Sequence, residues 1–374
     1  MKIGVNGRFL TKPFTGIGQY TINVLRELAK ITPDHEYIVV VPEKVDFSFP
    51  KNVRVRILNE KKVGTPGMRK TWWEQVQVLD YFKKEEVEKA FFPYPSCPWT
   101  RDWYKKFEVI VAVHDCIPWV NKEYLRGVLS QLYHSQSKKA VRYARKVLTV
   151  SEFSKKELVE IIKVREKKVF VAHNDAGKGY KKEMDEAVIA EVLEEFELKK
   201  EKFFLYVGGY DSRKNVAHLL EEYDLFCRYH GKDVKMVLAG GSSVSDKLYR
   251  SYMKEVAVGE IIRTGFLEEK KLAALYRSCR GFVNFSKQEG FNIPILEAAN
   301  CGAPIVISDI KVHREVAQKN AAFINLKKHG AGKRVMLKLM DDEYFDKMRG
   351  KALDLAKEYS WSSSANIIKD VIFS

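Results

Sequence analysis

Two carboxylates, Glu289 and Glu297, stand eight positions apart with Gly-Phe-Asn-Ile-Pro-Ile-Leu between them. Gly290 and Asn292 tolerate a turn, Pro294 suits a first helical turn, and Leu296, Ala298 and Ala299 continue as helix formers. The spacing predicts Glu289 on a loop and Glu297 one turn into a helix. Between them the free N–H groups of a helix N-terminus, with its dipole, favour an anion such as a diphosphate. Carboxylates for hydroxyls and amides for a diphosphate make the pair read as a sugar-nucleotide site. A plainer reading keeps Glu297 as a first-turn acid complementing the helix dipole and Glu289 as a solvated loop residue.

Other residues able to meet such a ligand also fall on strand-to-helix loops. Leu205-Tyr206-Val207 runs into Gly208-Gly209-Tyr210-Asp211-Ser212-Arg213-Lys214-Asn215, a strand, a glycine turn and two adjacent cations at the head of a helix. The planar fork of Arg213 and the compact charge of Lys214 could neutralise a leaving nucleoside diphosphate without metal. No D-x-D motif stands in the chain, so no divalent ion is expected on the phosphates. Earlier, Ile3–Asn6 leads through a long loop to Thr15-Gly16-Ile17-Gly18 and a helix carrying Ile22, Leu25, Leu28 and Ala29. Gly16 and Gly18 either let backbone amides approach a phosphate or make a tight helix entry. Thr21 stands where a dinucleotide fingerprint needs its third glycine, which disfavours a nicotinamide cofactor. His114-Asp115 closes the strand Val109–Val113, and His114 could hydrogen-bond a substrate hydroxyl or serve a structural role. Ser151 or Ser154 reads as a helix cap.

The elements that must hold these loops alternate. Strand candidates are Lys2–Val5, Tyr37–Val41, Val53–Leu58, Val109–Val113, Val147–Val150 and Val169–Ala172, then Phe203–Val207, Lys235–Leu238, Ile261–Thr264, Gly281–Asn284 and Pro304–Ile307. Helical stretches separate most of them, the pattern of an α/β chain with parallel sheets covered on both faces. The polar segment Asn174–Asp185 reads as a linker. It predicts two Rossmann-like, doubly wound domains, 1–175 and 176–360, facing across a cleft, where ligand would bind at the strand ends. The tail reads as a capped amphipathic helix over Asn366–Phe373 after a kink, with residues 361–374 returning to the first domain.

Bulk properties bound the rest. At 374 residues and 45% hydrophobic content the chain is too long for one ordinary core. No apolar run approaches a membrane span, and Met1–Arg8 breaks before a signal-peptide core could form, so the expected place is the cytosol. Five scattered cysteines predict reduced thiols and no zinc site. Residues 122–168 hold 13 Lys/Arg against 5 Asp/Glu, half of the net charge of +16. Such a field attracts nucleic acid, anionic lipid or a phosphorylated substrate, or belongs to a solvated helix face.

Taken together, these loops resemble the retaining family 4 glycosyltransferases of GT-B fold. The carriers are Thr15-Gly16-Ile17-Gly18, Val113-His114-Asp115, Thr149–Ser154, Tyr206–Gly209 with Arg213-Lys214-Asn215, Ala239-Gly240-Gly241, Thr264-Gly265-Phe266 and the Glu289/Glu297 pair, and they run through nearly the whole chain. The resemblance implies that Glu297 binds the donor ribose and Glu289 the hydroxyls of the transferred sugar. The backbone of Gly290, Phe291 and Asn292 would meet sugar and diphosphate. Arg213 and Lys214 would hold the diphosphate beside the Gly208 turn, joined by the Gly16 loop, with Gly18 next to it. His114 and Glu289 would stand nearest the reacting centre, and no protein nucleophile is implied. No cofactor is implied beyond the donor itself, a nucleotide sugar.

Thr65–Gln75, with its Trp73-Glu74-Gln75 run, is similar to the acceptor-side region of bacterial mannosyltransferases in this family. That favours GDP-mannose, with UDP- or dTDP-sugars, rhamnose among them, as the alternative. Arg69, Lys70, Trp72 and Trp73 combine cations with interfacial aromatics, as an acceptor- or membrane-facing surface would, while core packing is the other reading of the tryptophans. The expected acceptor is a glycan or polyprenyl-diphosphate-linked chain in cell-surface polysaccharide synthesis, at an anionic membrane surface on the inner face of the cell membrane. Nucleic-acid binding rests on charge alone, with no recognised module. A catalytically silent sugar-nucleotide-binding subunit is disfavoured by the presence of Arg213, Lys214, Glu289 and Glu297. Two departures from the family pattern fall at Lys311-Val312-His313, which lacks a proline, and at Ala321–Ile324, which lacks a preceding glycine.

Overall fold

A computed structural model describes residues 1–121, 123–125, 127–181, 183–241 and 258–374; Lys122 and Arg126 of the basic tract lie outside them. The chain divides into two compact units, Met1–Asn174 together with Ser360–Ser374, and Asp175–Tyr359.

The first unit is built on a seven-stranded sheet of β1 (Lys2–Asn6), β2 (Glu36–Val41), β3 (Val53–Ile57), β4 (Lys89–Phe92), β5 (Glu108–Ala112), β6 (Lys146–Thr149) and β7 (Val169–Val171), in the order β3-β2-β1-β4-β5-β6-β7. Every pairing is parallel. The Tyr-Ile-Val-Val-Val run of β2 is buried on both faces, as a strand covered by helices requires. Edge strand β3 instead alternates valine and arginine and is half-buried to exposed, and its arginines discourage pairing with another chain. The helix Gly16–Ile31 covers the sheet with Tyr20, Ile22, Leu25 and Leu28. Sheet order reverses between β1 and β4, and at such a reversal the loops leaving the carboxyl ends diverge and open a crevice.

The second unit repeats the plan with β8 (Phe203–Val207), β9 (Lys235–Ala239), β10 (Ile261–Gly265), β11 (Gly281–Asn284), β12 (Ile305–Ser308) and β13 (Ala322–Ile324), ordered β10-β9-β8-β11-β12-β13 and parallel throughout. Its reversal lies between β8 and β11. Two strands escape sequence reading. β4 is Lys-Ala-Phe-Phe, a brief apolar stretch between Glu88 and Pro93, and its place as a central strand comes from its pairing with β1 and β5. β13 is a three-residue edge defined by its pairing with β12.

The terminal helix also differs from the expectation. It begins at Trp361, with Ser360 Oγ accepting from Ser363 N at 3.1 Å, and continues to Phe373 without the kink placed before Asn366. An N-cap hydroxyl satisfies first-turn amides that an uncapped serine run would leave to water. The helix packs in the first unit, Trp361 edge-on to Tyr20 and Phe373 stacked on His35 at 4.2 Å. Its last-turn carbonyls, which have no helical partner, receive ammonium groups from the sheet. Lys146 Nζ donates to Val371 O at 2.5 Å and to Ser374 Oγ at 2.9 Å, and Lys89 Nζ donates to Ile372 O at 2.5 Å. Lys146→Met is therefore expected to lower stability by about 1–3 kcal/mol, the cost of buried carbonyls left unpaired. Urea unfolding reads this directly, and an unchanged midpoint would refute the ammonium clamp.

Among the described residues no helix is long and apolar enough to cross a membrane. All five cysteines are buried free thiols, as their scattered spacing predicts.

Candidate functional site

The loops after β8 and β11 leave the sheet side by side, because these strands are neighbours at the reversal. Gly208 opens the first loop at φ +152°, where a Cβ would lie 2.8 Å from the Tyr206 hydroxyl oxygen. Asn215 ends it in the left-handed region and donates through Nδ2 to Phe285 O at 3.1 Å. Lys287 N donates to Arg213 O at 2.7 Å, which ties the second loop to the first.

These ties bring Arg213 and Lys214 onto Glu289. Arg213 Nη1 donates to Glu289 Oε2 at 2.7 Å, and Lys214 Nζ to Oε1 at 2.6 Å, where Ser286 Oγ also donates at 2.7 Å. Arg213 Nε lies 3.0 Å from Asp211 Oδ1. Glu289 is buried, so it is not the solvated loop acid of the plainer reading. Burial on its own would push its carboxyl up, but Lys214 and Arg213 overcome that and hold it at about 2. A guanidinium has five N–H donors and an ammonium three, so both cations keep donors beyond those given to Glu289. The cluster presents fixed positive groups at the sheet reversal and orients them with a carboxylate.

Glu297 sits in the first turn of the helix Pro294–Asn300 and is 8% exposed. Its Oε2 accepts from the Tyr276 hydroxyl at 2.9 Å. Burial raises its carboxyl to about 7, Glu269 adds to the rise, and the hydroxyls of Tyr276 and Tyr180 oppose it. No cation pairs with it among the salt bridges of the described residues. The dipole reading alone does not account for such a group, since a helix-end acid held for its charge would stay ionised.

Phe291 packs edge-on to Tyr359 at 5.9 Å between ring centroids, and Asn292 takes φ +77°. The chain segment from Gly290 to Asn292 thus bridges the two carboxylates as a buried turn.

His114, Gly16 and Gly18 lie in the first unit. His114 Nε2 donates to Pro93 O at 2.8 Å and the ring stands edge-on to Tyr20. Burial lowers its pKa to about 4 against the opposing effect of the Pro93 bond, so the ring is neutral at neutral pH and Nδ1 is an acceptor. Gly16 and Gly18 form the first helical turn rather than a loop before it. The Gly18 amide donates to Thr15 Oγ1 at 3.1 Å, and a Cβ on Gly18 would lie 2.2 Å from Lys12 O. Close packing therefore demands Gly18, and its amide is taken from the phosphate role expected of it.

The aromatic surface also needs correction. Trp73 is fully buried, its Nε1 donating to Leu58 O at 2.5 Å, so it belongs to the core and not to an acceptor- or membrane-facing surface. Trp72, the residue before the π-helical turn Trp73–Gln77, remains 43% exposed. Arg69 Nε donates to Gly64 O at 3.4 Å, while Lys70 Nζ lies over the Tyr133 ring at 4.9 Å and 3.7 Å from Glu74. Glu74 is fully buried and accepts from the hydroxyls of Tyr94 at 2.7 Å and Tyr133 at 3.2 Å, and Asn6 Nδ2 donates to the Tyr94 oxygen.

Comparison with known proteins matches each unit to a family. The "Glycosyltransferase Family 4" model covers residues 14–174 and the "Glycosyl transferases group 1" model covers 189–357. The chain belongs to the family 4 glycosyltransferases. It is 26% identical over 255 residues to the O-antigen chain mannosyltransferase B of Escherichia coli, covering 68% of this chain and 65% of that protein. It is 27% identical over 306 residues to the Escherichia coli serotype-specific mannosyltransferase WbdA, covering 78% of this chain and 36% of that protein. The chain thus spans less than two thirds of the length of either relative. Among solved structures, Anabaena HepE in complex with UDP and glucose superposes with a TM-score of 0.75 at 14% identity, covering 99% of this chain and 98% of that one. The fold is therefore GT-B, with two Rossmann-like α/β units.

In this glycosyltransferase, sequence reasoning overlooked Tyr180, Tyr276 and Ser286, which hold the two carboxylates, and passed His313 over as a mere departure. Tyr276 ends an apolar run and Tyr180 sits in the polar linker, and neither setting signals a bond to a glutamate far along the chain. Ser286 could have been found, since it precedes Glu289 by one turn's length on the same loop. Among the described residues no group of three or more His, Cys, Asp or Glu side chains is arranged to hold a metal ion.

Proposed function

We propose that this glycosyltransferase moves a hexose, mannose from GDP-mannose, onto a growing surface glycan, with the unit Asp175–Tyr359 holding the donor. The observation that carries the reading is the Arg213–Glu289–Lys214 cluster at the sheet reversal, within 2.6–2.7 Å contacts. In this reading Lys214 and Arg213 neutralise the departing diphosphate, and the turn Gly290–Asn292 meets sugar and diphosphate. Glu289 both orients the cations and receives hydroxyls of the sugar, and Glu297 receives those of the ribose. His114, being neutral, offers a hydroxyl an acceptor and not a charge. Anomeric configuration is retained: the departing phosphate assists deprotonation of the acceptor on the same face, and no protein nucleophile takes part. Fixed cations suit that scheme because they stabilise charge that develops on the leaving group without reorganising. The names of the mannosyltransferase relatives support the sugar and the glycan acceptor. HepE, solved with UDP and glucose, supports a UDP-sugar as the second reading. A lipid-linked diphosphate acceptor at an anionic membrane fits the exposed Trp72 and Met68 beside Arg69.

A thermal-shift panel of nucleotide sugars tests the donor. A donor at 100 times its Kd adds about 2.7 kcal/mol of stability. GDP-mannose is expected to give the largest shift, and a larger shift with a UDP- or dTDP-sugar would replace mannose in the reading. Because cations of the chain carry the diphosphate, transfer is expected to persist within about twofold in excess chelator, where loss of one side-chain stabiliser would cost far more. Strict dependence on added divalent metal would overturn the metal-independent scheme.

A further inference from the structure

A second polar chain lies beneath the Glu289–Glu297 turn. Ser286 Oγ, which donates to Glu289, belongs to the residue whose carbonyl accepts from Ser308 Oγ at 2.5 Å. His313, on the helix Lys311–Ala317 and fully buried, has Nδ1 3.0 Å from Ser308 O. A carbonyl only accepts, so Nδ1 carries the ring hydrogen and Nε2 presents a lone pair. That lone pair receives Asn292 Nδ2 at 2.9 Å. Asn292 is 7% exposed, stands at φ +77°, and its Oδ1 is buried with no hydrogen-bond partner.

The bond to His313 is thus what secures the Asn292 amide, on a backbone that an L-residue adopts reluctantly. Without it, both polar ends of a buried amide would be unsatisfied, and the turn would relax toward water and toward negative φ. We propose that His313 is a positioning residue of the donor turn: by fixing the Asn292 amide it holds the left-handed backbone between Glu289 and Pro294 in its ligand-receiving form. The inference rests on the reading of this turn as the donor site. Its physical core, that His313 acts through Asn292, does not depend on which donor binds.

A double-mutant cycle separates this from a general packing role. Glycine takes positive φ unaided and brings no amide to bury. His313→Leu is expected to raise the donor KM about tenfold in the Asn292 background, with kcat changed less than threefold. In the Asn292→Gly background the same substitution is expected to change KM less than twofold. Equal effects in both backgrounds, or no effect in either, overturn the proposal. His313→Gln, which keeps an acceptor near Asn292, is expected to recover most of the loss and stands in should the leucine variant not fold. Hydrogen exchange of the peptide 286–299 in the donor-free protein reads the same coupling. Faster exchange in His313→Leu, returned to normal by adding Asn292→Gly, supports positioning; exchange unaltered by His313→Leu overturns it. That arm holds even if no nucleotide sugar is turned over, so a failed donor assignment and a failed positioning role are told apart.

Discussion

Lys214→Ala is expected to lower kcat/KM for glycosyl transfer by about 10²–10³-fold, the range seen when one preorganised electrostatic contact to a developing charge is removed. The magnitude follows from position. Lys214 Nζ is 12% exposed as a side chain and fixed 2.6 Å from Glu289, so little is spent in orienting it when charge builds on the leaving diphosphate. Folding should suffer less than catalysis. Glu289 keeps Arg213 at 2.7 Å and Ser286 at 2.7 Å, so the buried carboxylate is not stranded. Its carboxyl would drift up from about 2, since Lys214 is the foremost opponent of burial there. Lys214→Arg is expected to recover only part of the activity, because a planar fork cannot occupy the place of a compact ammonium beside Arg213. Steady-state kinetics with a melting curve as control decide the matter. A kcat/KM unchanged from the parent protein would remove Lys214 from the donor site.

The second large effect is a stability gain bought at the expense of binding. Glu297 has a folded-state pKa of about 7, above the ordinary value of 4.5, with burial as the main cause. A raised folded pKa means that the contribution of the protonated form is fully present below the ordinary value and is lost as pH climbs through the folded one. At pH 8 the native protein therefore carries a buried carboxylate with no ion pair among the described residues, a cost of about 3 kcal/mol relative to acid pH. Glu297→Gln keeps an oxygen for the Tyr276 hydroxyl and removes the charge. It is expected to raise the melting temperature at pH 8, with the difference shrinking to nothing below about pH 5. Donor affinity should fall at least tenfold at the same time, because an amide oxygen accepts ribose hydroxyls less strongly than a carboxylate. If the variant melts with the parent at pH 8, Glu297 is not the buried, raised carboxyl described. If donor affinity is unchanged, Glu297 is not the ribose contact.

Much of the architecture was legible locally. Near-continuous, β-branched or aromatic apolar runs such as Tyr37–Val41 and Phe203–Val207 point to strands covered on both faces, and the helical stretches between them to parallel connections. The Asp211–Asn215 loop and the Glu289–Glu297 spacing were visible for the same reason, since helix entry and turn chemistry live within a few residues. β4 was not legible, because its three apolar residues stand between charged Glu88-Lys89 and Pro93 and only pairing with β1 and β5 marks them as a strand. Core packing, the other reading of the tryptophans, holds for Trp73 and not for Trp72, because nothing local says which of two adjacent helical residues faces the core. For Gly18 the two readings, an amide open to phosphate and a tight helix entry, stand level in the sequence, and only the bond to the Thr15 cap and the nearness of Lys12 O give the second.

By itself the sequence determined a family, two doubly wound units and the identity of the charged groups that could meet a sugar nucleotide, because these are properties of residue type and short spacing. Tertiary structure alone decided how those groups are used. Lys214 and Glu289 are 75 positions apart and meet only because β8 and β11 are neighbours at a sheet reversal. Glu289 is held ionised and Glu297 is pushed toward neutrality, although both are glutamates of one short segment, because one is buried against two cations and the other against two tyrosines. Charge state and mutual distance are set by what surrounds a side chain, and that surrounding is assembled from parts of the chain no local pattern connects.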